Sequence, residues 1–450
     1  MGEGSKRDRI ELLRSGEIRS TLLRLSFPAI TAMLVGAVYN VVDTMFIGLL
    51  NDTPSIGAST VVFPLFMLIT AIGLSFGMGS ASAVSRFLGK QDVKSAHTIA
   101  STAFFASVGT GLIFTVVGII QIETVLRLFG ATEEILDRAL IYGSIIIGGC
   151  LFQIMNMCMN NLLRAEGAAI YSGIALMLGA GLNILLDPIF MFVLDLGLEG
   201  AALATITAQA VSTLFLFFFF LTKRGIVRIH PKYFTLHLWA YVELFRIGMP
   251  TFIRQILAST AMAVMNIAAK PFGNEAIAAV GIDVRLISLV MFVFFGLGQG
   301  FQPFAGYNYG AMQYERMDLA FKTAARWCVT TGAVVMLIYL ATAPYLILGF
   351  SRDPEVVRIG ALGLRLSSLS LFFVGYQNLT AVLFQAMGKG RETGFLAMAR
   401  QGLFLIPLLL ILPGWFGLVG IMISQPLADL CTTFLSQEML RRNRKYMVNR

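Results

Sequence analysis

Residues 168–193 read AAIYSGIALMLGAGLNILLDPIFMFV, and Asp187 is the only charged side chain among them. About 20 consecutive apolar residues carry a helix across a bilayer. A barrel strand would instead alternate apolar and polar residues roughly ten at a time. The run is continuous, so it predicts a membrane-spanning helix. A carboxylate inside such a helix costs about 2.5 to 3.5 kcal/mol on insertion scales, and therefore calls for a reason.

The rest of the chain repeats this pattern. Of 450 residues, 57% are hydrophobic and 13% charged, with a mean hydropathy of +0.78. An ordinary domain is about 25% charged, which excludes a water-soluble globule. Apolar windows at 22–49, 57–84, 97–121, 138–162, 168–193 and 198–222 are followed by 245–269, 276–303, 321–348, 356–386, 394–413 and 416–438. The fold class is all-α integral membrane with twelve transmembrane helices, leaving no room for a soluble domain. The first run follows a basic segment, is too long for a signal peptide and is expected to remain as span 1. Cys150, Cys158, Cys328 and Cys431 all fall in apolar stretches without a CxxC spacing. They read as small core residues, with no disulfide or zinc site.

Basic residues set the topology. The two ends and the even-numbered loops hold 26 Lys and Arg, the odd-numbered loops hold 5, and Arg254, Arg285 and Arg365 fall inside spans. That asymmetry places both termini in the cytoplasm. The net charge of +9 then reflects topology and contact with anionic membrane lipid, with no nucleic acid partner. His97, His230 and His237 lie in loops or at a span edge and are expected on the exposed surface.

The two halves match at a shift of about 221 residues. Gly77, Gly79, Gly89 and Gly167 fall on Gly298, Gly300, Gly310 and Gly388, while Pro28 falls near Pro250 and Gly197 and Gly200 near Gly417 and Gly420. Six spans per half make the repeats parallel, related by an axis along the membrane normal. The expected organisation is an N-lobe at 1–222, a cytoplasmic connector at 223–241 and a C-lobe at 242–450, with a substrate path between the lobes.

Counted at 1.5 Å per residue from the cytoplasmic ends, Asp43 in span 1 and Asp187 in span 5 reach matching depths in the outer half of the membrane. Thr205 on span 6 reaches the same level. Asn183 lies four residues before Asp187 on one helix face, and Tyr39, Asn40 and Asp43 form a polar stripe on span 1. Pro188 cannot donate its backbone hydrogen bond and displaces the carbonyl of Ile184, a further oxygen ligand. This donor set suits a proton or a small hard cation such as Na⁺. The competing reading is that these carboxylates cap a helix end or fix packing.

The second half carries a different set inside its spans: Arg254, Asp283, Arg285, Arg365 and Asp429, with Gln255, Gln299, Gln302 and Gln385. Asp283 and Arg365 lie at similar depths, which allows an ion pair. These residues are read either as structural pairs or as a substrate path. Met155 and Met159, in the polar and thioether cluster ending at Asn161, either pack or line an adaptable cavity.

Several motifs together resemble the multidrug and toxic compound extrusion (MATE) transporters, most nearly their MepA-like branch. They are Ser26-Phe27-Pro28, Val41-Val42-Asp43-Thr44-Met45-Phe46-Ile47-Gly48, Leu163-Arg164-Ala165-Glu166-Gly167 and Leu182-Asn183-Ile184-Leu185-Leu186-Asp187-Pro188. Gly200-Ala201-Ala202-Leu203-Ala204-Thr205, Gly300-Phe301-Gln302-Pro303, Asn308-Tyr309-Gly310-Ala311 and Gln385-Ala386-Met387-Gly388-Lys389-Gly390 extend the likeness over nearly the whole chain. The resemblance implies a V-shaped bundle of two six-helix lobes that exports amphipathic organic cations in exchange for H⁺ or Na⁺. The family's N-lobe cation positions correspond to Asp43, Asn183, Asp187 and Thr205, and Pro28 matches a proline proposed to bend span 1. Some branches carry C-lobe carboxylates on spans 7 and 10, yet no Asp or Glu occurs between Pro250 and Asn274 or between Val356 and Met387. Coupling is therefore expected in the N-lobe.

The sequence thus describes a secondary active transporter of a bacterial inner membrane, expected to be monomeric, with a coupling ion but no other cofactor. An intramembrane enzyme is disfavoured because HExxH, GxGD and DDxxD patterns are absent. A lipid-linked precursor flippase of the same superfamily is the alternative that Arg254, Arg285 and Arg365 keep open.

Overall fold

The computed structural model describes residues 4–50 and 52–448, and every regular element among them is helical. A short amphipathic helix, α1 (Gly4–Arg14), precedes six spans: α2 (Ile18–Leu49), α3 (Thr53–Gly89), α4 (Val93–Leu128), α5 (Glu133–Ala165), α6 (Ala169–Pro188) and α7 (Gly197–Leu221). Then follow α8 (Leu238–Ala269), α9 (Asn274–Gly310), α10 (Tyr314–Leu348), α11 (Pro354–Ser368), α12 (Leu371–Ala386), α13 (Gly390–Met398), α14 (Ile406–Phe416) and α15 (Leu418–Val448). Eleven helical segments are long and apolar enough to cross a membrane, and the bent pair α11–α12 makes up a twelfth.

The tenth span is not straight. Sequence reading runs it unbroken over 356–386, whereas α11 and α12 meet at 49°. The break falls in a serine-rich turn. The Ser368 hydroxyl donates to the Arg365 carbonyl at 2.8 Å and the Ser370 hydroxyl to the Ser367 carbonyl at 3.1 Å, so side chains compete with the helical ladder. A π-helical turn, Ala399–Leu405, joins α13 to α14. It places Arg400 inside the eleventh span.

The internal duplication is written into the packing. A Cβ on Gly89 would lie 2.0 Å from the Tyr307 carbonyl oxygen, and one on Gly310 would lie 2.0 Å from that of Arg86. These contacts exchange under the 221-residue shift. Gly77 likewise packs on Met157 and Asn161, and Gly298 on the shifted pair Asn378 and Val382. Left-handed backbone recurs at matched places, with φ +80° at Gly167 and +72° at Gly388, and 61° at Gln91 and 58° at Met312. Small residues permit this close backbone approach where lipid supplies no hydrophobic drive. The two lobes are therefore pseudo-symmetric and meet along a glycine- and serine-lined seam, α3 on α8 and α2 on α9.

Both termini lie at one end of the bundle. There Arg9 pairs with Glu166 at 3.0 Å, Asn308 donates to the Leu13 carbonyl at 3.1 Å, and Lys389 bonds Asn443. The segment between α7 and α8 straps across this end through Val227 N–H to Glu166, Arg228 N–H to His97 Nδ1 and His230 N–H to the Ser101 hydroxyl. His97 is consequently buried rather than exposed. Cys431 departs from its expected place in the opposite sense: it is exposed, while the other three cysteines are buried.

Candidate functional site

The first turn of α7 sits directly on the π turn that ends α6. A Cβ on Gly200 would come within 2.6 Å of the Phe190 backbone, so only glycine allows the two elements to approach so closely. That contact fixes Thr205 opposite Asn183. The Asn183 amide donates to Asp187 Oδ1 at 3.1 Å and to the Thr205 hydroxyl at 3.4 Å. Asp187 is 0%, Asn183 2% and Thr205 7% exposed. Pro188 is the last α-helical residue before the π turn Ile189–Val193.

The α2 residues complete the group. Tyr39 lies beside Thr205 and within electrostatic reach of Asp43 and Asp187. Asp43 and Asp187 are close enough for their charges to interact. Asn40 lies on the same helix, with its side chain outside those described. Lower on α2, Pro28 touches α6, where a Cβ on Gly173 would meet the proline ring at 3.0 Å.

Tyr142 on α5 also lies within electrostatic reach of Asp43, Tyr39 and Asp187. Sequence reading missed it, because one tyrosine on an apolar helix looks like ordinary core. The cluster therefore draws on α2, α5, α6 and α7. Three of its oxygens, Asp43 Oδ1, Asn183 Oδ1 and Asp187 Oδ2, are buried with no hydrogen-bond partner among the described residues. All three are acceptors. Such a set lacks a donor or cation, and a buried acceptor without either is costly. A proton, or a hard cation held by oxygen ligands, satisfies it chemically.

The C-lobe arranges its charges differently. Asp283 accepts from the Ser367 hydroxyl at 2.7 Å, while Arg365 is exposed and donates to the Leu340 carbonyl at 3.2 Å. The expected Asp283–Arg365 pair is absent, because the α11 turn points Ser367 inward and Arg365 outward. Arg285 is exposed. Asp429 is fully buried and takes Arg400 at 2.7 Å and the Gln377 amide at 2.9 Å. Arg254 lies over the Phe295 ring, 5.9 Å from its centroid. Gln255 is half-buried, and Gln299 and Gln302 each keep a buried side-chain atom without a partner. Met159 is fully buried in the N-lobe core, and Met155 packs partly buried against it.

The family model MatE matches residues 28–189 and 250–411, one stretch in each lobe. The chain belongs to the MATE family. Over 424 residues it is 30% identical to the multidrug export protein MepA of Staphylococcus saprophyticus, covering 94% of each chain. Over 431 residues it is 30% identical to that of Staphylococcus haemolyticus, covering 96% of this chain and 95% of the relative. Among solved structures it resembles the outward-facing conformation of a multidrug resistance MATE family transporter of the MOP superfamily. That similarity has a TM-score of 0.93 and 26% identity over 98% of this chain and 99% of the other. A MOP superfamily transporter from Pyrococcus furiosus, described as having a binding pocket of reversed polarity, matches with a TM-score of 0.91 and 26% identity over 97% and 98%. This MATE chain is thus a multi-span membrane transporter and not an enzyme.

Proposed function

We propose that this MATE protein exports amphipathic organic cations and drugs by alternating access, in exchange for H⁺ or Na⁺ bound at Asp43 and Asp187. The observation that carries the reading is the convergence of three unpartnered buried oxygens on Asp43, Asn183 and Asp187. The multidrug export relatives support the substrate class. Basic residues crowded around both termini support an orientation with both ends in the cytoplasm.

A ligand shifts a conformational equilibrium only through different affinity for its states. A carboxylate pair supplies that difference when one state opens it to water and the other encloses it. Tyr39, Thr205 and Tyr142 position and enclose the pair. One net charge re-entering per cycle releases about 2.3 kcal/mol per 100 mV. At about 1.4 kcal/mol per tenfold, that supports a substrate gradient of roughly fortyfold.

The test is fluorescent-cation transport in inverted vesicles with pH and sodium gradients imposed separately. Asp187→Asn keeps the shape of the side chain and removes its charge, so gradient-driven transport should drop to leak with an unchanged melting temperature. Transport that survives at the wild-type rate would remove Asp187 from coupling.

A further inference from the structure

An acidic cavity opens into the N-lobe at the end opposite the termini. It has a volume of about 190 Å³ and is lined by Arg138, Ile141 and Tyr142 of α5 and by Asp195, Leu198 and Glu199 around the start of α7. Asp195 (φ 54°) and Gly197 (φ 52°) both take left-handed backbone, which turns the chain from the π turn Ile189–Val193 into α7 over residues 194–196 alone. Asp195 and Glu199 are exposed and have no ion pair or hydrogen bond among the described residues, whereas Arg138 is engaged by Asp52. Tyr142 is half-buried and is the innermost lining residue of α5. It packs against the core cluster that holds Ile47, Met191 and Leu198. Ile47 and Met191 each stand four residues outward of Asp43 and Asp187, about one helical turn. Tyr142 and its neighbours therefore form the wall between the cavity and the carboxylate pair.

The surface around the cavity has the same sign. Residues 50–56, 122–138 and 194–199, which join the N-lobe spans at that end, hold seven acidic and two basic side chains, a net charge of −5. The corresponding C-lobe residues 270–275, 349–358 and 414–417 hold three of each, a net charge of zero. Both N-lobe arginines are already paired, Arg127 with Glu123 and Glu133 and Arg138 with Asp52. Stabilisation of a helix end explains Glu199 in the first turn of α7, but not an excess spread over three loops of one lobe. A recess lined by one sign of charge focuses the field and raises the local concentration of counter-ions. Here that recess lies directly outward of the Asp43, Asn183 and Asp187 oxygens that lack a partner. We infer that this cavity is the vestibule through which the coupling cation, H⁺ or Na⁺, enters the N-lobe and reaches the Asp43–Asp187 pair, on a route separate from the substrate path between the lobes. Separate routes let the ion arrive while substrate still occupies the interlobe path. The inference rests on the proposed function for the destination of the ion.

Ile141 is 45% exposed, and Leu362, its counterpart under the 221-residue shift, is 44% exposed. Each can therefore carry a cysteine and a bulky, membrane-impermeant methanethiosulfonate, in a background where the exposed Cys431 is serine. The full chain is reconstituted in vesicles loaded with a fluorescent organic cation, and efflux is started by an outside pulse of acid or of sodium. Labelling Ile141→Cys should slow ion-driven efflux at least about tenfold, and labelling Leu362→Cys should change it less than about twofold. Dye binding to the labelled Ile141→Cys protein in nanodiscs should be unchanged. Asp195→Asn combined with Glu199→Gln should raise the half-saturating ion concentration about threefold at low ionic strength, with the same maximal rate. That difference should vanish in about 1 M choline chloride, where the Debye length is about 3 Å. Undiminished efflux from the labelled Ile141→Cys protein, equal slowing by the two labels, or equal half-saturating concentrations at low salt would overturn the inference. The labelling arm compares one folded protein before and after reaction, so it decides the matter even if the double variant does not fold. Asp187→Asn reports the coupling reading separately: wild-type efflux from that variant, alongside slowing by the Ile141→Cys label, would move the destination of the ion and leave the vestibule standing.

Discussion

Glu166 follows α5 at the terminus-bearing end, where it is fully buried, accepts from Val227 N–H at 2.9 Å and pairs with Arg9 at 3.0 Å. Burial raises its pKa from 4.5 to about 7, against the opposing pull of Arg9 and the backbone donors of Val227 and Ile226. The folded chain thus holds this proton more tightly than the unfolded chain. The associated stability is full below the unfolded value and is lost as pH rises towards the folded one. The melting temperature of the wild type should therefore fall between about pH 5 and about pH 8, and Glu166→Gln should flatten that fall, since an amide cannot ionise. Parallel slopes for the two proteins in a thermal-shift series would assign the pH dependence to other groups. At this scale the sequence reveals Asp43, Asp187 and Thr205, because charge and depth can be counted along a helix. Tyr142 and the burial of Glu166 stay hidden, since both depend on which helix lies opposite.

Helices meet where side chains are absent. Gly89 and Gly310 each leave room for a carbonyl of the other lobe, and a Cβ on either would stand 2.0 Å from that oxygen. Gly89→Ala and Gly310→Ala should each cost about 1–3 kcal/mol through overpacking, and should cost similar amounts because the contacts are related by the pseudo-symmetry. Gly148→Ala, at a helical position with nothing within 4 Å of the new methyl, should be close to neutral. Thermal denaturation in one detergent compares all three; a cost at only one of the seam glycines would break the symmetry argument. Span positions and the repeat are legible in the sequence because hydropathy and glycine spacing are local signals. The 49° bend of the tenth span and the π turn at Arg400 are not: the bend falls where serine hydroxyls bond backbone carbonyls, and Arg400 meets Asp429, a partner 29 residues away. For the same reason equal depth did not make Asp283 and Arg365 partners: the turn at Ser367 sets which of the two residues faces inward.

Rocking of one lobe against the other requires a seam that can open. Among the described residues, the glycine contacts that join the lobes, at Gly79, Gly89, Gly248, Gly296, Gly300, Gly306, Gly310 and Gly388, fall in the half of the bundle nearer the termini. Arg86 of α3 also reaches across the seam to Glu243 of α8 at 2.8 Å, with both side chains largely buried. Among the described residues, closure at this end is therefore built from backbone contact, the Arg86–Glu243 ion pair and side-chain hydrogen bonds such as Ser26 to the Leu297 carbonyl and Asn308 to the Leu13 carbonyl, all of which must part in a state open to that side. Replacing Arg86 and Glu243 by cysteine, in a background where the exposed Cys431 is serine, puts two thiols across the seam for a short bifunctional thiosulfonate reagent. The bridged protein should lose at least about tenfold in gradient-driven transport and recover it when a reductant cleaves the bridge, because a covalent tie removes the second state from the equilibrium. The Asp43–Asp187 cluster lies in the other half of α2 and α6, so ion binding should persist in the bridged form, measurable as sodium- or proton-dependent protection of the protein against heat. Unimpaired transport by the bridged protein would mean that the seam stays shut throughout the cycle and that access alternates by movement within the N-lobe alone, where Pro28 of α2 leans on Gly173 of α6.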